Sequence, residues 1–492
     1  MAKEVFVCLC NVKQYYKEML LSLFWEEREF WEMEECISCN DNKKNIIILV
    51  LFSVFIILRL PNVVFHGRFL AEEGVVFFAY AWHFPTWAAI WRSFAGYLNL
   101  GANAFTFLDV SLIKAGWVSL ENAPYVTTAA AFLFQIQPAI IILWGEANWL
   151  CSKYIKPALL FVIAFCPFSE EVWLNVMHIQ YQLILCCGLI LAVNVPKNIF
   201  VWFYQALLLV SAPLCGPGAI VLGPLFLLRS IVDRSASRFY QTVFLGLGSV
   251  IQLSCFFSSS VVRGHFLNPL TLSSVIFVRT GIYPFLGSAI SKKISYFVLQ
   301  SYNANGLFWN FFSLISIFCF LFLSCIAWRY RQISAGWLIF SGLSLALVSF
   351  GGGMIASDAS AWFDARNGER YNFIPVVFFE MALFVVMFNS VGEYRFFLKP
   401  LCILMLLVGV SSYIKPIGIE KTGPDWKQQV QLWRNDHRHP LEVWGWPASW
   451  AMDLSDTTQS CTTVSLKAAS YEDPTYCENN WIAHVLALPR LK

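Results

Sequence analysis

The run Ile46–Leu58, IIILVLFSVFIIL, carries no charge and a single hydroxyl. Phe311–Ile326, FFSLISIFCFLFLSCI, has the same character, and Ala158–Phe168 and Leu401–Val410 repeat it. Runs of this length and purity are solvated by lipid rather than water. Composition agrees: 58% of the 492 residues are hydrophobic and 13% charged, against about 25% charged in soluble domains. The sequence predicts an all-α polytopic membrane protein.

Working outward from these runs, eleven spans are expected, near 46–60, 124–144, 154–168, 174–193, 199–213, 217–229, 239–257, 307–328, 335–350, 374–390 and 398–413. They average about 17 residues, the lower end of the range that crosses a bilayer. The chain then divides into an N-terminal amphipathic arm (1–45), a membrane domain (46–413) with long loops at 61–123, 258–306 and 351–373, and a small C-terminal domain (414–492). Lys43/Lys44, Lys153/Lys156, Lys197, Arg229/Arg234/Arg238, Arg329/Arg331 and Arg395/Lys399 gather at one set of span ends. The positive-inside rule makes that set cytoplasmic. The N-terminus is therefore expected in the cytoplasm, and the long loops and C-terminal tail outside.

Other classes lack residues to stand on. A net charge of +3 and the absence of a basic stripe offer nothing to nucleic acid. No Walker loop, Gly-x-Gly-x-x-Gly turn or His-Glu-x-x-His pair occurs. The first 35 residues hold eight acids and no cleavable apolar segment, so the first span is expected to act as an uncleaved anchor. Within the arm, Cys8, Cys10, Cys36 and Cys39 do not match common zinc spacings and read as free thiols; no metal site is expected. Phe24, Trp25, Phe30 and Trp31 among the acids suggest a helix against the membrane or a partner.

Chemistry-bearing residues collect on the external side. The first loop opens with Arg59 and then Phe69-Leu70-Ala71-Glu72-Glu73-Gly74. Two carboxylates in an aromatic, apolar segment are costly unless hydrated or employed. Either a carboxylate there serves as a base, or the pair stabilises a helix N-terminus through its dipole. A second cluster, Ser169-Glu170-Glu171-Val172-Trp173-Leu174-Asn175-Val176-Met177-His178-Ile179-Gln180-Tyr181-Gln182, opens span four. Asn175, His178 and Gln182 recur at three and four residues and so share one helical face, and polar side chains entering a bilayer face protein or a wet cavity. Interhelical hydrogen bonding is the plainer use.

The third cluster runs from Gly351-Gly352-Gly353 to Asp364-Ala365-Arg366-Asn367-Gly368-Glu369-Arg370-Tyr371-Asn372-Phe373-Ile374-Pro375. Arg366 and Arg370 stand where orientation rules call for no positive charge. Their forked guanidinium groups suit a lipid phosphate, or alternatively ion pairs with Asp364 and Glu369. Glu380, inside the following span, needs a partner. In loop 258–306, Thr271–Ile290 is apolar but interrupted by Arg279 and Pro284, and reads as an interfacial helix. In the tail, Pro424-Asp425-Trp426 begins a helix whose apolar face is Trp426, Val430 and Trp433. The six tail tryptophans suit a sugar surface or the core of a small domain.

An Ala-Glu-Glu-Gly segment after the first span, a His-containing mouth at the fourth, and Gly-Glu-Arg-Tyr-x-Phe-x-Pro before a late span resemble the serotype-converting Gtr-type membrane glucosyltransferases. These belong to the GT-C class of polytopic glycosyltransferases. Family members more often carry Ala-Glu-Asp-Gly; Glu73 keeps the charge and adds one methylene. The resemblance implies a bacterial inner-membrane enzyme without cofactor or metal, moving glucose from undecaprenyl-phosphate glucose to a lipid-linked O-antigen sugar on the periplasmic side. It implies membrane lipid, the lipid-linked acceptor, and separate donor-synthase and flippase proteins as partners. In that scheme Glu72 and Glu73 supply the catalytic base. Arg366, Arg370, Tyr371 and Arg279 bind the donor phosphate, and Trp173, Asn175, His178 and Gln180 hold the acceptor. A flippase or transporter of lipid-linked sugars and an O-antigen polymerase or ligase are the competing readings.

Cys461 and Cys477 stand together in a tail expected to lie in an oxidising compartment, and are expected to pair, worth about 3 kcal/mol in the entropic picture. A membrane-impermeant thiol reagent should label both only after reduction. Labelling without reductant would rule out the bridge.

Overall fold

The computed structural model describes residues 42–152, 154–259, 268–331, 334–353, 362–363, 368–389, 393–414, 423–445 and 450–455. Residues 1–41 of the arm, Arg366, Trp446, Trp481 and the Cys461/Cys477 pair lie outside the described residues.

The chain is an all-α, multi-pass membrane protein. Among the described residues, seven helical segments are long and apolar enough to cross a membrane: Leu120–Trp144, Ala236–Phe257, Pro269–Asn303, Leu307–Arg329, Ala335–Gly352, Arg370–Asn389 and Arg395–Ile414. Six coincide with expected spans. The helix over the first expected span, α1 (Asn42–Arg59), carries charge at both ends. Those read at 154–168, 174–193 and 199–213 form shorter apolar helices, Ile155–Ala164, Val176–Ala192 and Ile199–Cys215. The stretch at 217–229 is divided into a 3₁₀ turn, Pro217–Leu222, and α2 (Gly223–Asp233).

At the centre stands α3 (Ile179–Ala192), with every residue buried. Beyond the two glutamines of its first turn the helix is apolar on all sides, and such a helix belongs inside a bundle rather than at its surface. Gly188 lets α4 (Arg370–Asn389) approach it: a Cβ there would lie 2.1 Å from the Phe378 ring. By contrast, α5 (Leu307–Arg329) and α6 (Glu393–Ile414) expose Phe318, Phe322, Leu404 and Leu407, the pattern of a lipid-facing surface.

The stretch expected to be an interfacial helix is helical throughout Pro269–Asn303, yet it is not a straight rod. Gly287 has φ 69° and ψ 177°, a conformation almost confined to glycine. The two arms fold back to one cluster, where Val275 and Val278 of the first arm and Val298 of the second meet Trp309, Phe350, Trp362 and Phe363. A straight helix of 35 residues would hold its ends about 50 Å apart. The charge that interrupts the apolar pattern, Arg279, is buried and paired: Nε donates to the Trp362 carbonyl at 2.6 Å and Nη1 to Asn372 Oδ1 at 3.0 Å.

The tail does not stand apart. Trp426, Val430, Leu441, Val443 and Trp450 share one core with Phe69, Val75, Phe78 and Leu120 of the first loop. Trp426 donates to the Leu120 carbonyl, and Phe69 meets its indole edge-on at 5.1 Å. Backbone bonds Trp444 N–H to Phe69 O (3.0 Å) and Ala71 N–H to Trp444 O (2.5 Å) splice the tail onto the acidic turn. The described tryptophans therefore serve packing more than display.

Replacing Gly287 by Ala puts a Cβ into this backbone region. The expected cost is about 1–3 kcal/mol, read as a lower melting temperature of the detergent-solubilised protein. An unchanged melting temperature would show that the corner relaxes without glycine.

Candidate functional site

The acidic turn begins at Ala71, whose φ of 44° places it in the left-handed region. The turn sends its two glutamates in different directions. Glu73 is buried at 1% exposure. Its Oε2 accepts from Leu70 N–H at 3.0 Å and its Oε1 from Val176 N–H at 3.2 Å. Burial pushes its carboxyl up, while those two amides and Arg68 pull the other way. Glu73 is a tie between the first loop and the mouth of α3.

Glu72 points instead into a cavity of about 210 Å³, shared with His178, Gln180, Tyr181, Arg370 and Tyr371. Burial raises its carboxyl above the ordinary range, Arg370 opposes that rise, and Glu171 adds to it. Apart from Ser349, the remaining wall is apolar or aromatic, with Phe77, Phe94, Tyr97, Leu345, Ile374 and Pro375 among it. Few polar groups converging in a mostly apolar concavity is the usual form of a small-ligand site.

The turn before α3 is not helical in the way its spacing suggested. Asn175 is extended, φ −145° and ψ 147°, and caps a 3₁₀ turn, Val176–His178. Its Oδ1 accepts from His178 N–H at 3.0 Å, and its Nδ2 donates to the Glu171 and Trp173 carbonyls at 2.9 and 3.2 Å. Asn175 is thus occupied with backbone and does not line the cavity. Trp173, fully buried, donates to Ser169 Oγ, packs on Phe373 and lies under Arg59. It too stands behind the wall, as does Arg279.

His178 does reach the cavity. Its Nδ1 lies 2.7 Å from the Glu171 carbonyl, an acceptor only, so Nδ1 carries the proton. In the neutral tautomer that this bond selects, Nε2 is left as a hydrogen-bond acceptor. Gln180 owes its place to Gly216, where a Cβ would fall 1.8 Å from the amide oxygen.

Glu171, in the second cluster, carries no sequence signal of its partner. Its carboxylate forms an ion pair with the Arg370 guanidinium. Burial works to raise Glu171, but Arg370, then His178, outweigh it and hold it below the usual carboxylate range. Behind this pair lies a second, Arg59 with Glu170 at 3.6 Å, both nearly inaccessible. Two adjacent glutamates thus meet two arginines that are far apart in sequence. Among the described residues no three His, Cys, Asp or Glu side chains gather closely enough to hold a metal ion.

The chain matches no protein-family model, no curated protein and no solved structure.

Glu73→Gln keeps size but turns an NH₂ group toward one of two buried amide donors. A loss of about 1–3 kcal/mol is expected, whereas Glu72→Gln should leave stability nearly unchanged. Thermal denaturation of both variants checks this, and equal effects would dissolve the distinction between tie and cavity residue.

Proposed function

We propose that this protein is a GT-C-like glucosyltransferase of the bacterial inner membrane. It moves glucose from undecaprenyl-phosphate glucose to a lipid-linked O-antigen sugar on the periplasmic side. The observation that carries the reading is the opening of Glu72 and Arg370 onto one cavity, a proton acceptor and a phosphate-binding fork at the rim of an apolar bundle.

In this reading the acceptor hydroxyl attacks the anomeric carbon of the donor. Its proton passes to the Glu72 carboxylate as the new glycosidic C–O bond forms. The anomeric C–O bond to phosphate breaks, and the electron pair leaves on the polyprenyl phosphate. Arg370, supported by Tyr371, stabilises the charge that grows there. His178, through Nε2, and Gln180 orient the acceptor. Trp173, Asn175 and Arg279, which stand behind the cavity wall, act by holding it rather than by binding ligand. Arg366 retains its proposed phosphate role from sequence alone.

Glu171 adds a control. It neutralises Arg370 while the cavity is empty, so the donor phosphate must share or displace it. The paired position also keeps a cation beside Glu72, which limits the rise of that carboxyl.

Mass spectrometry of O-antigen from cells with and without the protein tests the reaction: a gain of one hexose per repeat is expected. Altered chain length with unmodified repeats would point to a polymerase or ligase instead. Glu72→Gln should lower the modification by about two orders of magnitude, and Arg370→Lys should also impair it, since a point charge lacks the fork. Because Glu72 must be ionised, turnover should fall as pH drops through its raised pKa. Glu171→Gln removes a neighbouring carboxylate and frees Arg370, so this acid limb should move to lower pH. A limb unmoved in Glu171→Gln, or full modification in Glu72→Gln, removes Glu72 as the base.

A further inference from the structure

A second cavity, of about 430 Å³, lies deeper along α4, between Phe277 and Phe285 on the bent helix, Phe320 and Leu323 on α5, and Leu343 and Phe379. Ala335–Val348 contributes to both cavities, Leu345 and Val348 to the first and Ile339 and Leu343 to the second. The hydroxyls that line the second cavity are already used within their own helices: Ser273 donates to the Leu270 carbonyl, Thr280 to Ile276 and Ser316 to Phe312.

Glu380 is the exception. It lines this cavity, is 5% exposed, and its buried Oε1 has no hydrogen-bond partner. A buried polar atom left unmet costs about 1–3 kcal/mol, and among the described residues no Lys, Arg or His lines the cavity. The helices that enclose it on one flank, α5 and α6, face outward along most of their length. A molecule dissolved in the bilayer therefore has the direct approach.

We propose that this cavity binds a membrane-soluble molecule with an apolar chain and one hydroxyl, the hydroxyl pairing with the Glu380 carboxyl. An uncharged carboxyl donates through O–H and accepts through C=O. A hydroxyl does both as well, so the two satisfy each other without burying a net charge. An amine would form an ion pair whose desolvation the apolar lining does not offset. At roughly 30 Å³ for a water-sized volume, the cavity has room for on the order of a dozen methylenes. The assignment is independent of the glucosyl-transfer reading.

The test uses the full-length protein in phospholipid nanodiscs and a dodecanol carrying a photoactivatable diazirine on its chain. Labelling should fall on peptides containing residues 273–285 and 379–386. Unlabelled dodecanol should compete at least tenfold better than dodecane, and better than dodecylamine. Glu380→Leu, which preserves bulk and apolarity, should erase the preference for the alcohol. Glu380→Gln should retain it, because a carboxamide also donates and accepts. Equal competition by alkane and alcohol, labelling spread beyond the lining, or a preference that survives in Glu380→Leu overturns the proposal. Strongest competition by the amine overturns the hydroxyl assignment in favour of an ion pair.

Discussion

The carboxylate of Glu73 holds the site together. One oxygen takes the amide of Leu70 and the other the amide of Val176, so two turns distant in sequence are fixed at a separation set by one side chain. Everything that faces the first cavity from these turns depends on that spacing: Glu72 on one side, His178 and Gln180 on the other. A hydrogen bond to a charged group is worth more than a neutral one, and two on one buried carboxylate resist independent movement of the turns. Shortening the side chain by one methylene, as in the Ala-Glu-Asp-Gly pattern, would require the turns to lie closer.

The arginines extend the same logic. Arg59 closes α1 by donating to the Cys166 carbonyl and Ser169 Oγ at 3.0 and 3.1 Å while pairing with Glu170. Arg370 opens α4 against Glu171. Removing either partner of the inner pair, Arg59 or Glu170, would leave a buried charge unmet, which is far costlier than the pair itself is stabilising. At the mouth Glu171 and Arg370 neutralise each other, while Glu170 Oε2 behind them and Glu380 Oε1 in the deeper cavity are buried without a hydrogen-bond partner.

Much of this was legible in the sequence because lipid imposes a simple code. Apolar runs located most long helices, and the segments around Glu72, His178 and Arg370 were recognisable as polar groups where none is cheap. What was not legible was direction. Neighbours Glu72 and Glu73 look equivalent until the left-handed Ala71 separates them. Asn175 and His178 have helical spacing, but the Asn175 cap makes the turn 3₁₀ and only His178 reaches the cavity. Arg279 argued against a buried helix because its partners, the Trp362 carbonyl and Asn372, lie more than eighty positions away. The corner at Gly287 left no periodic signal at all. Glu171 was hidden by Glu170, since adjacency says nothing about which arginine each will meet.

The splice between the tail and the acidic turn has a consequence for biogenesis. His83 meets the Asp453 carbonyl across 370 positions of sequence, and the Leu70–Trp444 bridge is of similar range. Chains emerge from the ribosome at about 5–20 residues per second, so the acidic turn spends tens of seconds without the strand that finally braces it. During that interval the helices insert one after another around an unfinished mouth. The segment over 423–455 is the one that locks the first loop, so the first cavity takes its final form only after that segment has been made.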